Sequence, residues 1–282
     1  MSGEFVYRLP GMARSQRPGS HSSQLRGGGM LFRRHVPLYA QPDPRRLDVR
    51  ASLRDPAEQW WVREYRQRAA IPLVVVLDLS ASMGYSGIHD PAHTAVELVE
   101  AAAWSAHRSG DRFGLIGFDD TVREDCWLPV RQQRGGVTSA MEALAVGAER
   151  HAGHAGLDGV PDWLPREAGL VLLVSDFHWP DGLLERFLQQ SRGHHVVPVV
   201  LWDRSEYSGW PERGFALAQD MESGERRLLW LRQGWSDQVA STYAAREADL
   251  RRLCEHFGTR PLFLRDGFSA DAMSAYFLGL DA

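Results

Sequence analysis

A chain of 282 residues, 44% of them apolar, is long enough for one large α/β domain. Its longest apolar runs, such as "LVVVL" and "GLVLLV", are too short to span a bilayer. All 32 basic residues are Arg, and the missing lysine excludes both a P-loop and a Schiff-base enzyme.

The formal charge of −4 is unevenly spread: residues 1–68 hold 13 Arg against 6 acids, residues 69–282 hold 19 Arg against 30 acids. The basic N-terminal part is interleaved with Pro, Gly and acids and carries no nucleic-acid motif, so we expect it to pack on its own acidic domain or on a protein partner. Cys126 and Cys254 form no C-x-x-C pair, and buried free thiols are the expected reading. No charged-then-apolar leader precedes a cleavage site, which gives a cytoplasmic expectation.

In chain order, residues 1–30 read as a flexible basic segment, with no apolar period from 11 to 29. Residues 31–70 read as a short-strand lead-in, ending in "QWWVREYRQRA", an extended stretch carrying Trp60, Val62 and Tyr65. From about 71 to 282, strands alternate with helical stretches. That pattern predicts a doubly wound, mostly parallel α/β sheet with a small β appendage.

The strand "LVVVLD" is followed by Asp90 and Pro91 as N-cap and first helical residue, and that helix ends at Gly110. "DRFGLIGFDD" is a second strand, and "TVREDCWLPV" pairs with it as a hairpin or edge. A helix is expected over 139–150, then a Gly/Pro-rich loop of about 15 residues, functional or mobile by its length. "GLVLLVSD", "DGLLERFLQQS" and "HVVPVVLWD" predict strand, helix and strand. A β-hairpin insertion is expected near 213–232, then a long helix capped by Ser236 and stopped by Gly258. "RPLFLRD" and a helix from Ala270 to Leu278 close the chain.

In such sheets the carboxyl ends of parallel strands face a crevice that binds ligands, and Asp78 and Asp176 each end a core strand. "DLSAS" adds Ser80 and Ser82, and "VTSAMEAL" adds Thr138 at a helix start. Oxygen-bearing residues from three loops at one rim suit a hard divalent ion, which takes oxygen ligands and keeps several waters. The alternative is that Asp78 and the serines merely cap and turn the chain.

D-x-S-x-S, a threonine loop and a strand-terminal aspartate resemble the metal-ion-dependent adhesion site of von Willebrand factor A domains. "YAQPDPRRLDVRAS", "VVVLDLSASM", "SDF" and "MESGERR" before a long helix resemble one branch, the family called domain of unknown function 58, from about Arg33 onward. "HVPLYAQPDPRRLD" also resembles the member found with methanol dehydrogenase genes. The resemblance implies a von Willebrand factor A fold, with Asp78, Ser80, Ser82, Thr138 and Asp176 holding Mg²⁺, or Mn²⁺ in its place, directly or through water. It further implies a chaperone-like adaptor acting with a MoxR-type AAA+ ATPase, in which a partner or client Asp or Glu completes the metal's shell and no reaction is catalysed. Two departures stand out. Thr138 lies one residue later than in the common "GGT" form, and the family's frequent Ile-Asp-Trp is Leu47-Asp48-Val49.

Other chemistries fit less well. His151 with His154, and His194 with His195, lack a third zinc ligand at the usual spacing. "GYSG" falls one residue short of a nucleophile elbow, and His89 and Asp90 are adjacent rather than spaced as a triad. A haloacid-type phosphatase needs an aspartate where Ser80 stands. A Mg²⁺-dependent hydrolase using the same rim, and a metal-free scaffold with a vestigial site, remain as alternatives.

Overall fold

The computed structural model describes residues 3–7, 18–85, 87–132, 138, 152–211, 213–219 and 225–279, with side-chain detail outside 18–31, 33, 66–69, 218 and 219. The helix expected over 139–150 lies outside these residues, as does His151.

The strands are β1 (Pro18–Pro37), β2 (Trp61–Ala69), β3 (Pro72–Asp78), β4 (Arg112–Phe118), β5 (Val122–Arg131), β6 (Leu170–Ser175), β7 (His195–Leu201), β8 (Gly214–Gln219), β9 (Arg226–Leu231) and β10 (Leu262–Leu264). Six of them form the central sheet in the order β10-β7-β6-β3-β4-β5, parallel throughout except for the antiparallel edge strand β5. The helices are α1 (Val49–Leu53), α2 (Pro91–Ser109), α3 (Leu183–Gln190), α4 (Arg204–Tyr207), α5 (Trp235–His256) and α6 (Ala270–Leu278).

β3 is buried at every position, as its run of β-branched and aliphatic residues requires of a strand covered on both faces. The two faces separate by parity. Leu73, Val75 and Leu77 join Leu170, Leu172 and Val174 of β6 under α2 and α6. Val74 and Val76 join Val171, Leu173 and the α3 residues Leu184 and Phe187 on the other side, where α5 packs. The doubly wound α/β expectation is met.

Local signals explain most helix ends. Asp90 accepts the Ala92 N–H at 2.9 Å to cap α2, Pro91 fills its first position, and Gly110 closes it at φ +71°. The long helix α5 starts at Trp235 after Gly234, so Ser236 lies inside its first turn and is not the cap. The Gly/Pro-rich stretch after 151 is not an open loop: Ala155–Trp163 forms a 3-10 segment that buries Gly156, Leu157 and Val160.

β1 and β2 form a separate two-stranded antiparallel sheet interrupted by register shifts, so the Gly/Ser-rich stretch from 18 to 29 is extended and paired. The lead-in is fastened by Asp48, which caps α1 through the Ala51 N–H (3.1 Å). It also meets Arg63 Nε at 2.7 Å and His35 Nε2 at 2.9 Å. The Arg63 bond, followed by the His35 bond, holds the Asp48 carboxyl well below the usual carboxylate range.

Residues 3–7, read in the sequence as part of a flexible segment, are held on the domain. Phe5 and Tyr7 are buried against Phe277 of α6. The Phe5 N–H donates to Ser105 Oγ (2.9 Å), the Val6 N–H to Ser274 Oγ (3.0 Å), and Tyr7 Oη to Asp111 Oδ2 (2.5 Å).

Candidate functional site

β3 sits where the strand order reverses: the chain leaves it through α2 to β4 on one side, while β6 pairs on the other. This is the topological switch point, and its carboxyl rim is the expected ligand crevice. The β3–β6 register pairs Leu77 with Val174, so the next residues, Asp78 and Ser175, are cross-strand neighbours.

Asp78 is 1% exposed and its carboxylate is fully engaged. Oδ1 accepts the Ser80 N–H at 2.9 Å, and Oδ2 accepts Ser175 Oγ at 2.6 Å and Trp179 Nε1 at 2.9 Å. Burial pushes its pKa above the ordinary value, the Asp176 carboxylate adds to the rise, and the Ser175 and Ser80 bonds oppose it. Asp176, also buried, accepts the His178 N–H at 3.0 Å on Oδ1, with His178 Nδ1 3.7 Å from Oδ2. The Ser175 hydroxyl stands between the two acids, 3.5 Å from Asp176 Oδ1.

Ser80 is buried on the turn leading into the 3-10 segment Ala81–Gly84, and its Oγ lies 3.1 Å from Ser82 Oγ. Four of the five anticipated oxygen donors, Asp78, Ser80, Ser82 and Asp176, therefore come from the loops after β3 and β6. Thr138 is helical and exposed, and among the described residues no hydrogen bond joins it to the other four.

The turn after Asp176 is shaped by Phe177, whose φ of +55° is uncommon for a bulky residue. It is held there by its N–H on Ser175 Oγ (2.9 Å) and by Arg246 donating to its carbonyl (2.7 Å). The chain is thereby folded back so that Trp179 reaches Asp78, packing on Phe177 and edge-on to Phe118. Trp202 Nε1 secures the Asp176 carbonyl at 2.8 Å. Beyond it, Tyr243 donates to Glu206 at 2.8 Å, and burial raises the pKa of the Glu206 carboxyl.

Ser175, Trp179 and Trp202 are the members of this rim that motif reading passes over. Strand parity could have found Ser175, because it neighbours Asp78 in any parallel pairing that aligns the two strand ends. Beside the rim, Phe177, Trp179, Leu184, Arg246 and Leu250 line a groove of about 530 Å³.

Among the described residues no three His, Cys, Asp or Glu side chains converge as a metal cluster. Any ion here would depend on hydroxyl donors as well as carboxylates. No helix among them is long and apolar enough to cross a membrane.

The model of the family described as "Protein of unknown function DUF58" matches residues 39–252. An uncharacterized protein of Paracoccus denitrificans, named for its position in the moxR 3' region, is 33% identical over 99 residues, covering 35% of this chain and 94% of its own length. An uncharacterized protein of Mycobacterium tuberculosis is 25% identical over 272 residues, covering 94% of this chain and 78% of that protein. Neither name denotes an enzyme. Among solved structures, an aerotolerance-related membrane protein of Bacteroides fragilis aligns over 73% of this chain and 96% of that chain, with 14% identity and a TM-score of 0.45.

Proposed function

The chain belongs to the DUF58 family of proteins of unknown function, and from that premise we propose that it is a metal-dependent protein-binding module. In this reading it acts with a MoxR-type AAA+ ATPase in chaperone-like maturation of a client enzyme or complex. The Paracoccus relative named for the moxR 3' region supports the choice of ATPase.

The observation that carries the metal reading is the buried pair Asp78 and Asp176 at the ends of adjacent parallel strands, with the Ser80 and Ser82 hydroxyls 3.1 Å apart beside them. Burial, with the Asp176 carboxylate beside it, raises the proton affinity of Asp78, and a buried acid so placed calls for a positive charge. The Arg246 guanidinium donates to the Phe177 carbonyl at 2.7 Å. Carboxylate and hydroxyl oxygens are the donors a Mg²⁺ ion selects, and Mn²⁺ shares that preference.

Ser80, Ser82, Thr138 and Asp176 would hold the ion. Asp78, with both oxygens already accepting hydrogen bonds, would act through water and by fixing the Ser80 backbone. Bound there, the metal would supply a charge-assisted contact to an Asp or Glu of the partner, and the neutral hydroxyl donors would leave that charge available. The residues themselves orient the donors and bury the acids, and no bond is made or broken.

Calorimetric titration with Mg²⁺ and with Mn²⁺ tests the reading, together with retention of host partners on the tagged protein in Mg²⁺ or EDTA. One saturable site, lost in Asp176→Ala while that variant stays folded, is expected. The ATPase or client should be retained only with metal. No metal uptake, or the same partners in EDTA, would refute it.

A further inference from the structure

We propose that one face of the β8–β9 hairpin is a docking surface for an amphipathic segment of a partner protein, apolar along its middle and carrying acidic residues at its ends. The proposal stands apart from the metal reading.

The hairpin register sets Phe215 opposite Trp230 and Leu217 opposite Leu228. Because side chains alternate across a strand, these four share one face. All four are exposed, from 65% for Leu217 and Trp230 to 71% for Phe215. Phe215 and Trp230 stack with centroids 6.1 Å apart at 27°. On the opposite face Leu231 is 1% exposed. The apolar face therefore offers on the order of 500 Å² to solvent, at the upper end of what a monomer's largest patch presents.

Charge selects the occupant. Arg226 and Arg232 have the same parity as Leu228 and Trp230, so the apolar square is bracketed by arginines at its two ends. The Arg232 guanidinium lies over the Trp230 ring at 5.5 Å. A second copy of the chain is disfavoured, since any two-fold pairing of this face sets arginine ends against arginine ends. An anionic bilayer is also disfavoured, because residues 69–282 carry 30 acids against 19 Arg and the domain is repelled from it. A discrete segment with acidic ends satisfies both the apolar square and its brackets.

The test uses the full chain as bait for phage-displayed random peptides about 16 residues long. The double variant Phe215→Ser/Trp230→Ser serves for counter-selection, with circular dichroism confirming that it folds. Enriched peptides should combine Leu, Phe or Trp with flanking Asp or Glu. Their affinity should fall about tenfold or more in the double variant and severalfold in Arg232→Gln. Enrichment without acidic bias, or equal binding to wild type and double variant, would overturn the proposal. So would binding of the wild type, lost in the variant, to phosphatidylglycerol vesicles, or a dimer in sedimentation velocity that the double variant abolishes.

Discussion

Replacing Ser175 with alanine removes a single oxygen, yet that oxygen serves two buried groups. It donates to Asp78 Oδ2 at 2.6 Å and accepts the Phe177 N–H at 2.9 Å. Losing a hydrogen bond to a charged group costs about 1.5–3 kcal/mol, and leaving a buried backbone N–H without a partner costs a further ~1–3 kcal/mol. The Phe177 bond also helps hold a left-handed backbone that is itself unfavourable. The cavity left is one atom in size, so the polar terms dominate and Ser175→Ala should destabilise by about 3–5 kcal/mol, read from urea unfolding in EDTA at neutral pH. The loss should shrink in acid. Burial and Asp176 raise the pKa of Asp78, so its charged form is the one that costs stability, and protonation relieves that cost as pH falls through the raised value. Ser175 opposes that rise, so its removal hurts most where Asp78 is charged. A loss under about 1 kcal/mol at neutral pH, or one that grows in acid, would refute this account of the rim.

Tyr7→Phe keeps the ring and deletes the hydroxyl that meets Asp111 at 2.5 Å, so it should cost about 1–3 kcal/mol and speed hydrogen exchange in α6, which the N-terminal residues cover. Unchanged exchange there would mean the segment does not brace the helix. Burial pushes the Cys254 thiol up to about 12 and raises that of Cys126 as well. At pH 8 about one Cys254 in ten thousand is thiolate, and Ellman's reagent should label neither cysteine until the chain unfolds. Gly156→Ala would set its new methyl 2.4 Å from the Thr121 backbone, with no flexible side chain to yield. It should destabilise by about 2–3 kcal/mol, and a neutral result in urea unfolding would mean that the 3-10 segment moves freely over the β4–β5 turn.

The parts of this fold that could be read from the sequence are those whose cause is local. β3 and β6 carry unbroken aliphatic runs, β7 is apolar around Pro198, Asp90-Pro91 and Gly110 bracket α2, and the turn-rich gap between "FALAQ" and "RRLLWL" marks the hairpin. What escaped was settled across distance. Phe5 and Tyr7 are two aromatics in an otherwise unremarkable segment, and their partners Ser105 and Asp111 lie about a hundred residues away, while Ser274, the partner of Val6, lies farther still. β1 contains Gly and Ser runs that weaken strand propensity, and pairing with β2 overrides them. The 3-10 segment after 155 carries Gly and Pro as a loop would, yet Leu157 and Val160 are fully buried under the sheet.

The rim shows the same division at closer range. Asp78 and Asp176 are visible as acids ending apolar runs, but their number does not reveal how each is used. Parallel register places Ser175, not Asp176, beside Asp78. The left-handed turn at Phe177 then returns Trp179 onto the same carboxylate. Asp78 thus accepts three protein donors, while among the described residues Asp176 Oδ2 meets the His178 ring at 3.7 Å. The two acids, equivalent in the sequence pattern, divide into a structural one that organises the loop and an available one that can meet a ligand. Asp176→Asn should accordingly weaken metal uptake more than it weakens the fold, and Asp78→Asn should do the reverse, a contrast that paired calorimetry and urea unfolding would expose.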